Sequence, residues 1–163
     1  AICDQIGIHV SRVNARLLVA ALGDSAFPEI PESLGAMRTC AATGLIVVMG
    51  GLQPGQSTNA AAALAAEITR ADLVVNATDV DGVYTADPQK DPNAKKLDEV
   101  TPDELAAILS QEGFRGGEYA LVDPLAIRII KIPVILVNGR DAKNVVKAIQ
   151  GKRIGTRIVP HKK

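Results

Sequence analysis

Two short segments carry residues whose types and order could do chemistry on a phosphate. The first is Gly50-Gly51-Leu52-Gln53-Pro54-Gly55-Gln56-Ser57-Thr58. Glycines let the backbone approach a ligand because no Cβ stands in the way. A helix that starts after them presents unpaired N–H groups and the positive end of its dipole, a natural seat for a phosphate. Ser57 and Thr58 can cap that helix or offer hydroxyls to a ligand. An ordinary Gly/Pro turn with a serine cap would use the same residues. The segment is not a P-loop, because the lysine of GxxxxGK[ST] is missing.

The second segment is Thr78-Asp79-Val80-Asp81-Gly82-Val83-Tyr84-Thr85-Ala86-Asp87-Pro88. Two acids at i and i+2 can bind Mg²⁺, orient a nucleotide, or simply shape a turn, since Asp and Gly favour turns for conformational reasons. An EF-hand is excluded by the absent acidic ladder and terminal glutamate. Tyr84 is one of two tyrosines and can pack against a flat base or belong to the core. Arg115, inside Gly113-Phe114-Arg115-Gly116-Gly117, is a cation that a nucleotide could meet, although nothing in the spacing requires it. His9 lies in a helical stretch and reads as structural. Lys95-Lys96 and His161-Lys162-Lys163 read as solvated surface.

The elements that must position these segments follow from apolar periodicity. Ile6, Val10, Val13, Leu17, Leu18 and Ala21 have helical spacing over residues 2–22, with Gly23 as a stop. Pro28 and Pro31 limit residues 26–31 to a short extended piece, and residues 33–43 suit a second helix. Leu45 to Met49 reads as a buried parallel strand leading into Gly50-Gly51. An alanine-rich helix is expected over 57–70, a strand over 72–77, and a polar, turn-rich stretch over 78–92. Thr101-Pro102-Asp103-Glu104 is a helix start, with a capping threonine, proline at the first position and a capping-box glutamate. Asp123-Pro124 and Asp141 open two more helices, and residues 132–137 and 156–159 read as strands. Strands alternating with helices predict an α/β fold with a largely parallel sheet and ligands beyond the strands' carboxyl ends.

Bulk properties narrow the function classes. The 163 residues suit one core. Eighteen basic residues balance eighteen acidic ones, so no general field attracts nucleic acid or an anionic membrane, and phosphate binding must be local. Only 2% of residues are aromatic, which argues against stacking platforms for single strands. Cys3 and Cys40 form no metal motif and read as reduced thiols of a cytoplasmic protein. No apolar run approaches the roughly 20 residues of a membrane span, and no signal peptide opens the chain. Two features predict absent residues. The chain opens in or just before a helix with no earlier strand, and the helix from Asp123 runs through Ile129-Ile130-Lys131 straight into the next strand, where a connection of roughly 2–6 residues is usual.

The two loops, in this order, resemble those of uridylate kinases of the amino acid kinase family, most closely the archaeal type. Further matching stretches are Asp4-Gln5-Ile6-Gly7 with Ser11-Arg12-Val13-Asn14-Ala15, Val48-Met49 before the first loop, Val122-Asp123-Pro124-Leu125-Ala126, and Gly155-Thr156. The likeness covers essentially the whole chain, and GGxxPGQST followed by DGVYTADP is specific. It implies a three-layer α/β/α sandwich, usually assembled as a hexamer, that moves a phosphoryl group from ATP, accompanied by Mg²⁺, to UMP. It implies that Asp4 holds the ribose of UMP, that Gly51, Leu52, Gln53, Pro54, Gly55, Gln56, Ser57 and Thr58 surround UMP, and that Thr78, Asp79, Tyr84 and Asp87 line the ATP site, with Asp79 catalytic.

Two departures from the family pattern stand out. The family's N-terminal strand, its lysine-bearing glycine loop and a second glycine-rich loop with an arginine have no counterpart among these residues. Phosphoryl transfer depends on cations that neutralise the equatorial oxygens, so a chain without them is expected to be a poor catalyst. Asp79 stands where related uridylate kinases often carry Asn or Lys, and an Asp at this place resembles acetylglutamate and isopentenyl phosphate kinases instead. That keeps two rivals open: another small-molecule kinase of the family, and a nucleotide-binding storage protein that lost transfer.

Overall fold

A computed structural model describes residues 2–86, 88, 90–111 and 131–160. The chain divides into two compact units, Ala1–Arg70 and Ala71–Lys163. The expected helix at Asp123, the Arg115 loop, the junction at Ile129-Ile130 and Asp87 lie outside the described residues.

The first unit is helical. Helix α1 spans Ile2–Leu22 and gives way to a 3₁₀ turn at Gly23–Ser25, so the glycine does stop the α-helix. Its apolar periodicity is real, but the stripe is not covered: Ile6, Val10, Val13 and Leu17 are all more than half exposed, and Ala15 is the buried residue. Helix α2, Leu34–Ala41, starts at the Ser33 cap, whose hydroxyl accepts from Ala36 N at 3.1 Å. Helix α3, Thr58–Thr69, packs against α2. Five buried alanines on α3 allow close approach, and Met37 and Cys40 of α2 are buried as well.

The segment Leu45 to Met49 is not a buried strand. It forms a single parallel bridge, Ala26 to Ile46, with Phe27 N donating to Ile46 O at 2.8 Å and Ile46 N to Ser25 O at 3.0 Å. Leu45 and Ile46 are exposed. The short extended piece expected over residues 26–31 is one bridge long.

The second unit holds the sheet. Strand β1 is Val74–Thr78, β2 Glu99–Val100, β3 Val134–Asn138 and β4 Thr156–Ile158, with helices α4, Pro102–Gln111, and α5, Ala142–Ile149. Their order is β1-β3-β4-β2. β1 pairs with β3 in parallel, Val74 opposite Val134 through Thr78 opposite Asn138, and β2 pairs with β4 in parallel. β3 and β4 run antiparallel, Leu136 opposite Thr156. The sheet is thus largely parallel with one reversed pairing. Consequently the start of β4 and the start of β2 lie at the same rim as the carboxyl ends of β1 and β3.

The core of this unit is the fully apolar run of β3 and one face of α5. Ile135, Val137 and Ala148 are buried, with Leu73, Val75, Val145 and Ile154 packed against them. α4 begins as its capping box dictates: Glu104 N donates to Thr101 Oγ1 at 3.2 Å, and Thr101 N donates to Glu104 Oε2 at 2.7 Å. α5 begins at Asp141, whose carboxylate accepts from Lys143 N at 3.0 Å. Among the described residues no helix is long and apolar enough to cross a membrane.

Candidate functional site

In the first unit, the structure brings Asp4 to the glycine-rich loop. The Asp4 carboxyl is held below the usual carboxylate range, first by the α-amino group of the chain and also by the Gly55 backbone N–H, against a slight desolvation. The loop itself is anchored by α1. Ser11 Oγ accepts from Gly51 N at 2.8 Å and donates to Ile8 O at 2.7 Å. Arg12 Nε donates to Gly51 O at 3.3 Å, and its guanidinium pairs with Glu32 at 2.8 Å. A Cβ on Gly50 would lie 2.7 Å from Ser11 Oγ and 2.9 Å from Arg12 N, and one on Gly51 would lie 2.9 Å from Ile8 Cγ1. On the side where a Cβ would stand, the double glycine therefore admits the helix.

Beyond it, Gln53-Pro54-Gly55-Gln56 is a tight turn. Gln56 N donates to Gln53 O at 3.4 Å, with Pro54 at the second position and Gly55 at φ +76° in the third, the pattern of a type II turn. A Cβ on Gly55 would meet nothing within 4 Å, so its outer side is open. Ser57 is committed as the cap of α3, its Oγ accepting from Ala60 N at 3.0 Å. Leu52 is half-buried, and Gln53, Pro54 and Thr58 are exposed. Gln56 Oε1 is buried without a hydrogen-bond partner. An orphaned acceptor of this kind costs roughly 1–3 kcal/mol unless a ligand supplies the donor.

In the second unit, Thr78 closes β1 and Asp79 to Tyr84 turn across the rim. Thr78 Oγ1 donates to Asp79 Oδ1 at 3.3 Å, and the Asp79 side chain is exposed. Asp81 Oδ1 accepts from Asn138 Nδ2 at 2.9 Å, tying the loop to the end of β3. Asn138 O in turn accepts from Asn144 Nδ2 at 3.0 Å, which fixes the start of α5. The buried Thr156 hydroxyl accepts from Val83 N at 2.8 Å and donates to Leu97 O. Gly155, at φ +68°, lies so close to β3 that an added Cβ would fall 1.8 Å from Leu136 O.

These bonds frame a cleft of about 380 Å³ lined by Asp81, Tyr84, Lys96, Asn138, Asn144 and Arg153, among others. Of the residues singled out in the sequence, Asp81, Tyr84 and Gly155 line it. Thr78 and Asp79 stand on the same rim without lining it. Lys96 is not merely solvated surface: its Nζ donates to Gly155 O at 2.8 Å. Asn138, Asn144 and Arg153 were missed, because they are brought to Tyr84 by the sheet from more than fifty residues away. The only sequence signal was that Asn138 ends a buried apolar run, at the carboxyl end where ligands gather.

The description "Amino acid kinase family" belongs to the family model that matches residues 1–138. This chain belongs to the amino acid kinase family. Among its relatives, the uridylate kinase of Methanococcoides burtonii is 45% identical over 171 residues, covering 97% of this chain and 73% of that protein. The uridylate kinase of Methanothrix thermoacetophila is 48% identical over 161 residues, with 97% and 72% covered. The crystal structure of uridylate kinase from Archaeoglobus fulgidus superposes with a TM-score of 0.85 at 41% identity, covering 97% of this chain and 72% of that one. The UMP kinase of Ureaplasma parvum, at 17% identity and a TM-score of 0.79, shares the fold. The amino acid kinase α/β fold expected from the two loops is thereby established.

Proposed function

We propose that this chain transfers the γ-phosphoryl group of ATP to UMP, giving UDP and ADP. The observation that carries this reading is 41–48% identity to uridylate kinases along nearly the whole chain. In it, Asp4 holds the ribose of UMP and residues 51–58 surround the nucleotide. The open outer side of Gly55 supports this, as does the orphaned Gln56 acceptor, which suits an N–H donor from a ligand. Thr78, Asp79, Tyr84 and Asp87 serve ATP, with Tyr84 offering a flat face to a base and Asp79 acting at the reacting end.

A UMP phosphate oxygen attacks the γ-phosphorus in line and ADP leaves, so the protein's work is positioning and charge neutralisation. Asp79 and Asp81 are oxygen donors that suit a Mg²⁺ carried in by the ATP phosphates, where it would neutralise charge on the β- and γ-phosphoryl oxygens. The same reading puts the protein in the cytoplasm, in pyrimidine nucleotide synthesis, as a homo-hexamer. The exposed α1 stripe, with Ile2 at 73% and Leu17 at 66%, supports assembly, since contiguous exposed apolar surface marks interaction faces.

An acceptor panel tests the reading with the whole protein. UMP-dependent release of ADP, with UDP as product, is expected. A clear preference for isopentenyl phosphate, or calorimetry showing that UMP does not bind, would overturn it.

A further inference from the structure

Next to the cleft, and sharing Lys96 and Arg153 with it, lies a larger hollow of about 470 Å³ along β2, β4 and the turn at 151–155. We propose that this hollow is a second anion site, built for a triphosphate chain, free or carried by a nucleoside. The assignment of the neighbouring cleft to ATP rests on the reading above; the hollow's own chemistry does not.

Four basic side chains, Lys96, Lys152, Arg153 and Arg157, face two carboxylates, Asp98 and Glu99. The chain as a whole has formal net charge zero, so this excess is local. Lys96 pairs with Asp98 at 3.4 Å. Among the described residues, Lys152, Arg153 and Arg157 have no ion-pair partner, and Glu99 forms none with Arg157 although the two are register neighbours on adjacent strands. Like charges gathered round one concavity repel each other, and an anion between them relieves that repulsion. Two arginines add planar donor forks that match phosphate oxygens.

The lining also says what the hollow does not read. Ile135 and Ile154 supply its apolar part, and none of its described lining residues is aromatic. A base would find no stacking face here, in contrast to the cleft with Tyr84. Recognition therefore falls on the phosphate chain. Because Lys96 and Arg153 serve both spaces, an anion in the hollow draws the same two cations that border the cleft. Occupancy of one space accordingly affects the other.

Lys152 and Arg157 line the hollow alone, and both are exposed, so their replacement leaves the fold intact. Titration calorimetry of the full chain with inorganic tripolyphosphate, without Mg²⁺, is the test. The double variant K152Q/R157Q is expected to bind tripolyphosphate roughly tenfold more weakly, two charge-assisted contacts having been lost. Its ATP affinity and UMP-dependent ADP release should stay within about twofold of the parent. Equal tripolyphosphate binding by parent and variant would overturn the proposal. So would parent binding no tighter than that of sulfate at matched ionic strength. A parallel loss of ATP affinity would also overturn it, since the hollow would then be the seat of the donor's own phosphates. In Y84A protein, ATP that displaces tripolyphosphate assigns the site to nucleotide-borne chains, and ATP that does not assigns it to free ones; both uphold the site. Failure of the uridylate kinase reading would appear separately, as absence of UDP formation.

Discussion

The two loops that carry the family's signature are held in place by opposite means. In the first unit, backbone is fixed by proximity: α1 lies against Gly50-Gly51, and Ser11 and Arg12 reach across to the glycine amide and carbonyl. In the second, backbone is fixed by side chains from distant strands: Thr156 holds Val83 and Leu97, and Asn138 holds Asp81. Glycine and a hydroxyl appear in both places, yet glycine makes room for a helix in one and for a strand carbonyl in the other. A glycine in a sequence marks a close approach without saying to what.

The largest expected effect comes from Gly155→Ala. The new methyl would collide with the Leu136 carbonyl, on a backbone at φ +68° that alanine rarely adopts, in a sheet that cannot shift. A loss of about 3 kcal/mol or more in urea unfolding is expected, with failure to fold as the extreme. Gly51→Ala makes the comparison sharp. Its conflict is with the Ile8 side chain, which can give, so a loss of about 1–2 kcal/mol is expected. Equal losses would mean that the two loops are anchored alike after all.

Thr156→Val comes next. It keeps the shape and removes the hydroxyl, leaving Val83 N–H and Leu97 C=O without their partner in a buried place. Two unsatisfied backbone groups cost about 2 kcal/mol together, and Thr156→Ser should recover most of it. Because Val83 precedes Tyr84, calorimetry should also show weaker ATP binding in the valine variant. If ATP affinity is unchanged while stability falls, Thr156 serves the sheet alone.

Ser11→Ala tests the other anchor. Gly51 N–H loses its acceptor at 2.8 Å, but the site is half-buried and water can replace the hydroxyl. A loss of about 1 kcal/mol is expected, with weaker UMP binding as the accompanying readout.

How much of this was legible in the sequence divides along the same line. Signals complete within four residues were readable. Ser33, Ser57, Thr101 with Glu104, and Asp141 each cap the helix that the sequence assigned to them. The apolar runs of β1 and β3 were readable as well. What depends on a distant partner was not. Leu45 to Met49 has a strand's composition and finds one bridge, Ile46 to Ala26. β2 consists of Glu99 and Val100 alone, too short for any periodicity, and exists because β4 lies beside it. The α1 periodicity announced a helix correctly and could not say that its stripe would be exposed. At the cleft, Asp81 and Tyr84 were legible from their motif, whereas Asn138, Asn144 and Arg153 belong to it only through the sheet.

The smallest effect concerns the far end of the helix that the first loop begins. Among the described residues, every position with positive φ is glycine except Arg70, at φ +53°. Arg70 ends α3 in the left-handed conformation, its N–H reaching Ala66 O and Glu67 O. That is where helices favour glycine, because a Cβ there crowds the backbone. Arg70 is exposed, so little packing offsets the strain. Arg70→Gly should therefore stabilise the protein by about 0.5–1 kcal/mol, less the entropy that glycine restores to the unfolded chain. A gain places the strain in the backbone alone. A loss in the same unfolding experiment would mean that the arginine side chain holds something that the backbone geometry does not reveal, and anchoring in the first unit would then extend from α1 to the end of α3.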